Sequence, residues 1–123
     1  MTQEKREINP GLIIRGVLSF LRAGTITNSS MVLHGAFKKL KDSGFPLLQN
    51  ILFGSDDQSR QIEEKFSALY RTGVIRYSGA KYELDRKILW SLREDLPKHF
   101  TADEIIQLSE IAERLEDMLK VEV

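Results

Sequence analysis

Residues 66–84 read Phe66-Ser67-Ala68-Leu69-Tyr70-Arg71-Thr72-Gly73-Val74-Ile75-Arg76-Tyr77-Ser78-Gly79-Ala80-Lys81-Tyr82-Glu83-Leu84. The hydrophobic period changes in the middle of this stretch. Ile62, Phe66, Leu69 and Tyr70 recur at helical spacing, and Gly73 supplies a left-handed stop. From Val74 to Ser78 and again from Lys81 to Leu84 the residues alternate, flanking Gly79-Ala80. Glycine first in a two-residue loop suits a type II′ hairpin turn. The register then sets Tyr77 opposite Tyr82, Ile75 opposite Leu84 and Arg76 opposite Glu83. Each pair is chemically sensible, whereas a slip by one residue would exchange the two faces of the hairpin.

Upstream, residues 1–8 are polar and expected to fray. Asn9-Pro10 reads as a helix start, with Asn capping the first free amides and Pro at the first helical position. Ile13, Ile14, Val17, Leu18 and Leu21 follow, and Gly24 stops the run. Thr25-Ile26-Thr27 is a short β-like stretch. Thr27 or Asn28 is the expected cap of a second helix carrying Val32, Leu33, Ala36, Phe37 and Leu40, ending near Gly44. Pro46 opens a short helical segment over Leu47, Leu48, Ile51 and Leu52. With Phe45 and Phe53, this segment is either core filling or an exposed partner-binding patch. Ser55-Asp56-Asp57 places capping and dipole-favoured residues before the helix that ends at Gly73.

Downstream, a helix is expected over roughly residues 86–95, with Ile88, Leu89 and Leu92 buried and Trp90 beside them, closed by Leu96-Pro97. Thr101 and Glu104 form the S/T-x-x-E capping box of a final helix. On it Ile105, Leu108, Ala112, Leu115 and Leu119 make an a/d seam of about two heptads. The seam is read as a dimerisation helix, or else as packing on the chain's own domain over the helix carrying Trp90. Residues 1–98 are read as one domain and residues 99–123 as its helical extension.

Eighteen basic and eighteen acidic residues give zero net charge, but the sum hides a gradient. Residues 1–98 carry an excess of five positive charges, and residues 99–123 an excess of five negative ones. The absence of cysteine excludes disulfides, thiolate metal sites and cysteine nucleophiles. No apolar run is long enough to span a membrane, and the first residues lack the apolar core of a secretion signal, so a cytoplasmic chain is expected. His34 and His99 have no partner at metal-binding helical spacing. Ser29-Ser30 lies outside any nucleophile elbow, Glu63-Glu64 points about 100° apart on a helix, and the glycines match no phosphate-binding loop. No enzyme and no cofactor are expected.

The run Phe66 to Ile75, with its Leu69-x-x-x-Gly73-Val74-Ile75 pattern and the hairpin ending Tyr82-Glu83-Leu84, resembles the helix-to-wing junction of winged-helix proteins. Gly24-Thr25-Ile26-Thr27 resembles the short strand that pairs with the wing in that family. The resemblance covers residues 10–85 and implies a mainly α fold with a small β-hairpin: a winged-helix-like domain plus C-terminal helices. It also implies a DNA-binding transcriptional regulator, with a recognition helix in the major groove and wing side chains on phosphate. Arg71, Arg76, Lys81, Arg86 and Lys87 form the densest basic cluster, and Lys38, Lys39 and Lys41 a second one. Two departures weigh against DNA. The segment over residues 43–55 is long for a helix-turn-helix, and acids on the helix ending at Gly73 repel phosphate. The alternative partner is protein: an interaction subunit of a bacterial multi-component assembly, of defence or toxin–antitoxin type, making no direct DNA contact.

Overall fold

Capping side chains decide where the helices begin. The structure, a computed structural model, describes residues 8–121. Residues 1–7 of the segment expected to fray lie outside them, while Ile8 packs against the core. The Asn9 side chain accepts a hydrogen bond from the Gly11 amide at 2.7 Å, and α1 (Pro10–Ser19) starts at the proline as expected. Its last helical residue is Ser19, and Leu21 is buried beyond that end.

The next two caps differ from expectation. Ser29, not Thr27 or Asn28, caps α2 (Ser30–Asp42), its hydroxyl accepting from the Val32 amide at 3.4 Å. Asn28 is committed elsewhere: its amide donates to the Ala80 carbonyl and its side-chain Nδ2 to the Gly79 carbonyl, both at 3.0 Å. Likewise α3 (Arg60–Arg71) is capped by Ser59 and not at Ser55-Asp56-Asp57. Residues 54–58 form a tight loop instead, closed by the Gly54 amide donating to the Gln58 carbonyl at 2.8 Å. Asp57 in that loop has φ 60°, a conformation no helix can include. Between α2 and α3, Pro46–Asn50 is a 3-10 helix. Leu47, Leu48 and Ile51 are buried and Leu52 is 66% exposed, so this segment is core filling with one outward leucine.

At the end of α3 the Gly73 amide donates to the Tyr70 carbonyl (3.2 Å) and the Val74 amide to the Leu69 carbonyl (2.9 Å). This is the two-bond helix stop that the glycine predicts, with Leu69 and Val74 both buried beneath it. The hairpin of β2 (Ile75–Ser78) and β3 (Lys81–Leu84) has the expected register, pairing Ile75 with Leu84, Arg76 with Glu83 and Tyr77 with Tyr82. Gly79 at φ 61°, followed by Ala80 without positive φ, is the backbone pattern of a type II′ turn. The expected short strand, β1 (Thr25–Thr27), pairs antiparallel with β3, so the sheet order is β1-β3-β2.

Asp85 caps α4 (Arg86–Glu94), and a short turn over Leu96–Lys98 leads to α5 (Ala102–Val121). The capping box at its start is complete: the Thr101 amide donates to Glu104 Oε1 at 2.7 Å, and the Glu104 amide to Thr101 Oγ1 at 3.2 Å. The chain is thus mainly helical with one small three-stranded antiparallel sheet. Among the described residues no helix is long and apolar enough to cross a membrane.

The position of α5 favours the second reading of its seam, packing on the chain's own domain, though over α1 and α2 and not over the helix carrying Trp90. Leu108, Ala112 and Leu115 are buried within the chain, together with Ile111, and Ile105 and Leu119 pack half-buried against the same core. The helix lies on α1 and α2, while Trp90 of α4 remains 58% exposed. Gly16 permits the close approach of α1 and α5: a methyl group there would stand 2.8 Å from a Leu108 methyl. The seam expected to pair two copies is therefore occupied by the chain itself. One hydrophobic cluster runs across residue 98, joining Ile13 and Phe37 to Phe100 and Leu115, so no core boundary separates residues 99–121 from the rest.

Leu108→Ala removes a fully buried side chain from this junction and is expected to cost about 2–5 kcal/mol. Denaturant unfolding measured at protein concentrations a hundredfold apart should give the same loss. A loss confined to high concentration would return the seam to an intermolecular contact.

Candidate nucleic-acid interface

Alternation along the sheet sorts its side chains into two faces. Ile26, Ile75, Tyr82 and Leu84 point inward and are buried. Phe66 of α3 stacks on Tyr82 with ring centroids 5.4 Å apart, and Tyr70 meets Tyr77 edge-on at 4.9 Å. Burial first, then the hydroxyl contact with Tyr77, pushes the Tyr82 hydroxyl up to about 12. Arg76 and Lys81 occupy the opposite, exposed face with Thr25, Thr27, Ser78 and Glu83. They are diagonal neighbours, since Arg76 faces Glu83 and Lys81 faces Ser78.

The predicted basic residues share no single environment. Arg71, Arg76, Lys81 and Lys87 are all exposed, and among the described residues none of them has a carboxylate within ion-pair distance. Glu83 lies beside Arg76 on the sheet without pairing with it, and Asp85 is drawn off to accept from the Ile88 amide at 3.0 Å. Arg86 leaves the cluster: its guanidinium donates to the Arg22 carbonyl, tying α4 to the loop before β1. Arg71 belongs to the outward surface of α3, where a shallow depression holds Arg60 and Arg71 with Glu63 and Glu64. Two cations and two anions leave that surface neutral. Lys65 lies outside that depression, half-buried, and burial and then the Arg15 charge push its ammonium below its ordinary range.

The second basic group is also divided. Lys38 Nζ pairs with Asp42 at 2.7 Å, and that hydrogen bond raises its pKa. Lys41 Nζ donates to the Ile51 carbonyl at 2.6 Å and lies over the Phe53 ring, so it holds the segment after α2 in place. Lys39 alone of the three is exposed with no side-chain hydrogen bond or ion pair among the described residues.

Some anchoring side chains escaped the sequence reading. Arg93 donates through Nε (3.1 Å) and Nη2 (2.7 Å) to the Ser19 carbonyl and lies over the rings of Phe20 and Trp90. The Trp90–Arg93 spacing of three on one helix was the available signal. Glu116 accepts from the Arg22 amide at 2.7 Å and the Ala23 amide at 3.0 Å, and nothing in the local pattern announces it. His34 is structural, buried beside the start of α3, where its Nδ1 accepts from the Ser59 amide at 2.9 Å. His99 is exposed after the turn over Leu96–Lys98. Among the described residues no cluster of three His, Asp or Glu side chains could hold a metal ion.

The chain matches no known protein family, no curated protein and no solved structure.

His34 makes the fold sensitive to pH. Its Nδ1 accepts a backbone hydrogen bond, which only the uncharged ring can do, and burial lowers its pKa below 6.5 despite the opposing charges of Glu63 and Asp56. The unfolded chain therefore binds more protons at this residue as the pH falls below 6.5. The stability contributed by neutral His34 is complete above that value and declines below it. Urea unfolding at a series of pH values should show this decline in the parent and less of it in His34→Gln. Equal pH dependence in the two proteins would contradict the assignment.

Proposed function

We propose that the chain is a small non-enzymatic winged-helix protein that binds duplex DNA as a transcriptional regulator, with the β2–β3 hairpin as its wing. The element order helix, strand, helix, helix, hairpin supports this reading, as does the pairing of the short first strand with the second strand of the hairpin. The observation that carries it is the position of Arg76 and Lys81, diagonal neighbours on the exposed sheet face with no ion pair among the described residues. Charges left unpaired at a surface gain by displacing counterions from phosphate. With the outward surface of α3 neutral, the proposed contact rests mainly on Arg76 and Lys81 of the hairpin.

A second reading, a protein-interaction subunit of a multi-component assembly, is favoured by Tyr70 and Tyr77. Their rings touch and are 49% and 58% exposed, and paired exposed tyrosines are typical anchors of protein interfaces.

Fluorescence anisotropy of a labelled duplex, titrated over a range of salt concentrations, distinguishes the two. For a phosphate-binding wing, log K falls linearly with log salt, and Arg76→Ala and Lys81→Ala each reduce that slope by about 1. Absence of binding at low salt, or binding insensitive to salt and to both substitutions, would remove DNA from the account.

A further inference from the structure

The three-stranded sheet has one edge that the fold leaves open. The Leu84 amide donates to the Gly24 carbonyl and the Asn28 amide to the Ala80 carbonyl, so Gly24, Ile26 and Asn28 turn their backbone groups toward β3. The intervening Thr25 and Thr27 therefore point their amides and carbonyls away from the sheet. Those groups open onto a groove of about 380 Å³ between β1 and the last turns of α5. Val32, Ile26 and Leu119 supply apolar walls, and Lys81 and Lys120 supply its charge. Glu116 also lines the groove, but both of its carboxylate oxygens are taken by the Arg22 and Ala23 amides. Edge strands are ordinarily guarded by their own Lys or Pro residues, and Thr25-Ile26-Thr27 contains neither.

We propose that the free edge of β1 is a docking site for an extended acidic peptide of a partner protein, which adds to the sheet as a fourth strand. Unpaired backbone groups at Thr25 and Thr27 supply the ladder, as in other cases of strand addition. Alternate apolar side chains of the peptide enter the groove between Val32 and Leu119. Its carboxylates meet Lys81 and Lys120, the two charges in the groove that have no ion-pair partner among the described residues. This goes beyond DNA recognition and uses a different part of the surface, apart from the shared Lys81.

The test is an NMR titration of the whole chain with three synthetic peptides: Glu-Thr-Val-Thr-Val-Glu, the same core with lysine at both ends, and the acidic peptide with alternate amides methylated. The acidic peptide should shift the Thr25 and Thr27 amide resonances and slow their hydrogen exchange. The lysine version should bind at least tenfold more weakly, and the methylated one should not bind. Lys120→Glu, an exposed substitution outside the proposed DNA contact, cancels the charge of Lys81 in the groove and should abolish the preference for the acidic peptide over the lysine version. Thr25→Pro, which removes one outward amide at a position where edge strands tolerate proline, should abolish binding in a protein whose circular dichroism is unchanged. The proposal is overturned if the acidic peptide leaves Thr25 and Thr27 unaffected at millimolar concentration, or if the lysine version binds equally well. Thr25 and Thr27 amides already protected in a sedimenting dimer would overturn it as well, by showing that a second copy fills the edge.

Discussion

The burial of α5 between α1 and α2 is the contact on which the rest of the molecule depends. Leu108, Ile111 and Leu115 are fully buried there, each contributing about 1.5–3 kcal/mol relative to an exposed position. The same helix sends polar arms to both sides. Gln107 accepts from the Leu47 amide at 2.7 Å, fixing the 3-10 helix after α2, and Glu116 accepts from the Arg22 and Ala23 amides just before β1. Because β1 pairs with β3, the position of the hairpin is tied to α5 through these bonds. The exposed face bearing Arg76 and Lys81 is thus held by residues far from it in sequence.

Features settled within a few residues were legible in the sequence. The hairpin register followed from its alternation and from Gly79, and the Asn9 cap and the Thr101–Glu104 box followed from local hydrogen-bonding chemistry. Where several capping residues stood in a row, tertiary contacts chose among them. Asn28 was claimed by the hairpin turn and Ser59 was fixed by His34, which moved both helix starts. The α5 seam was left open between two readings for a different reason. Leucines at steps of three and four look the same whether their partner is another copy or the chain's own α1 and α2.

The candidate site was legible only in part, because a sequence counts charges without showing their partners. Lys38, Lys41 and Arg86 are as basic as Arg76 and Lys81, yet each is held by an oxygen of its own chain. The charge gradient acquires a similar meaning. Most of the acids of α5, among them Asp103, Glu110, Glu113 and Asp117, lie exposed beside its buried seam, while Glu116 is used in folding. Neutral overall charge therefore reflects a basic body and an acidic helix that share one core.

Native-state hydrogen exchange tests that unity most directly. If α5 completes the core, amides near Leu108 and Leu115 should exchange only by global unfolding, with the same free energy as amides of α1 and β3. Exchange of α5 at a distinctly lower free energy, while α1 and β3 remain protected, would show it to be a separable extension. The central claim would then be contradicted.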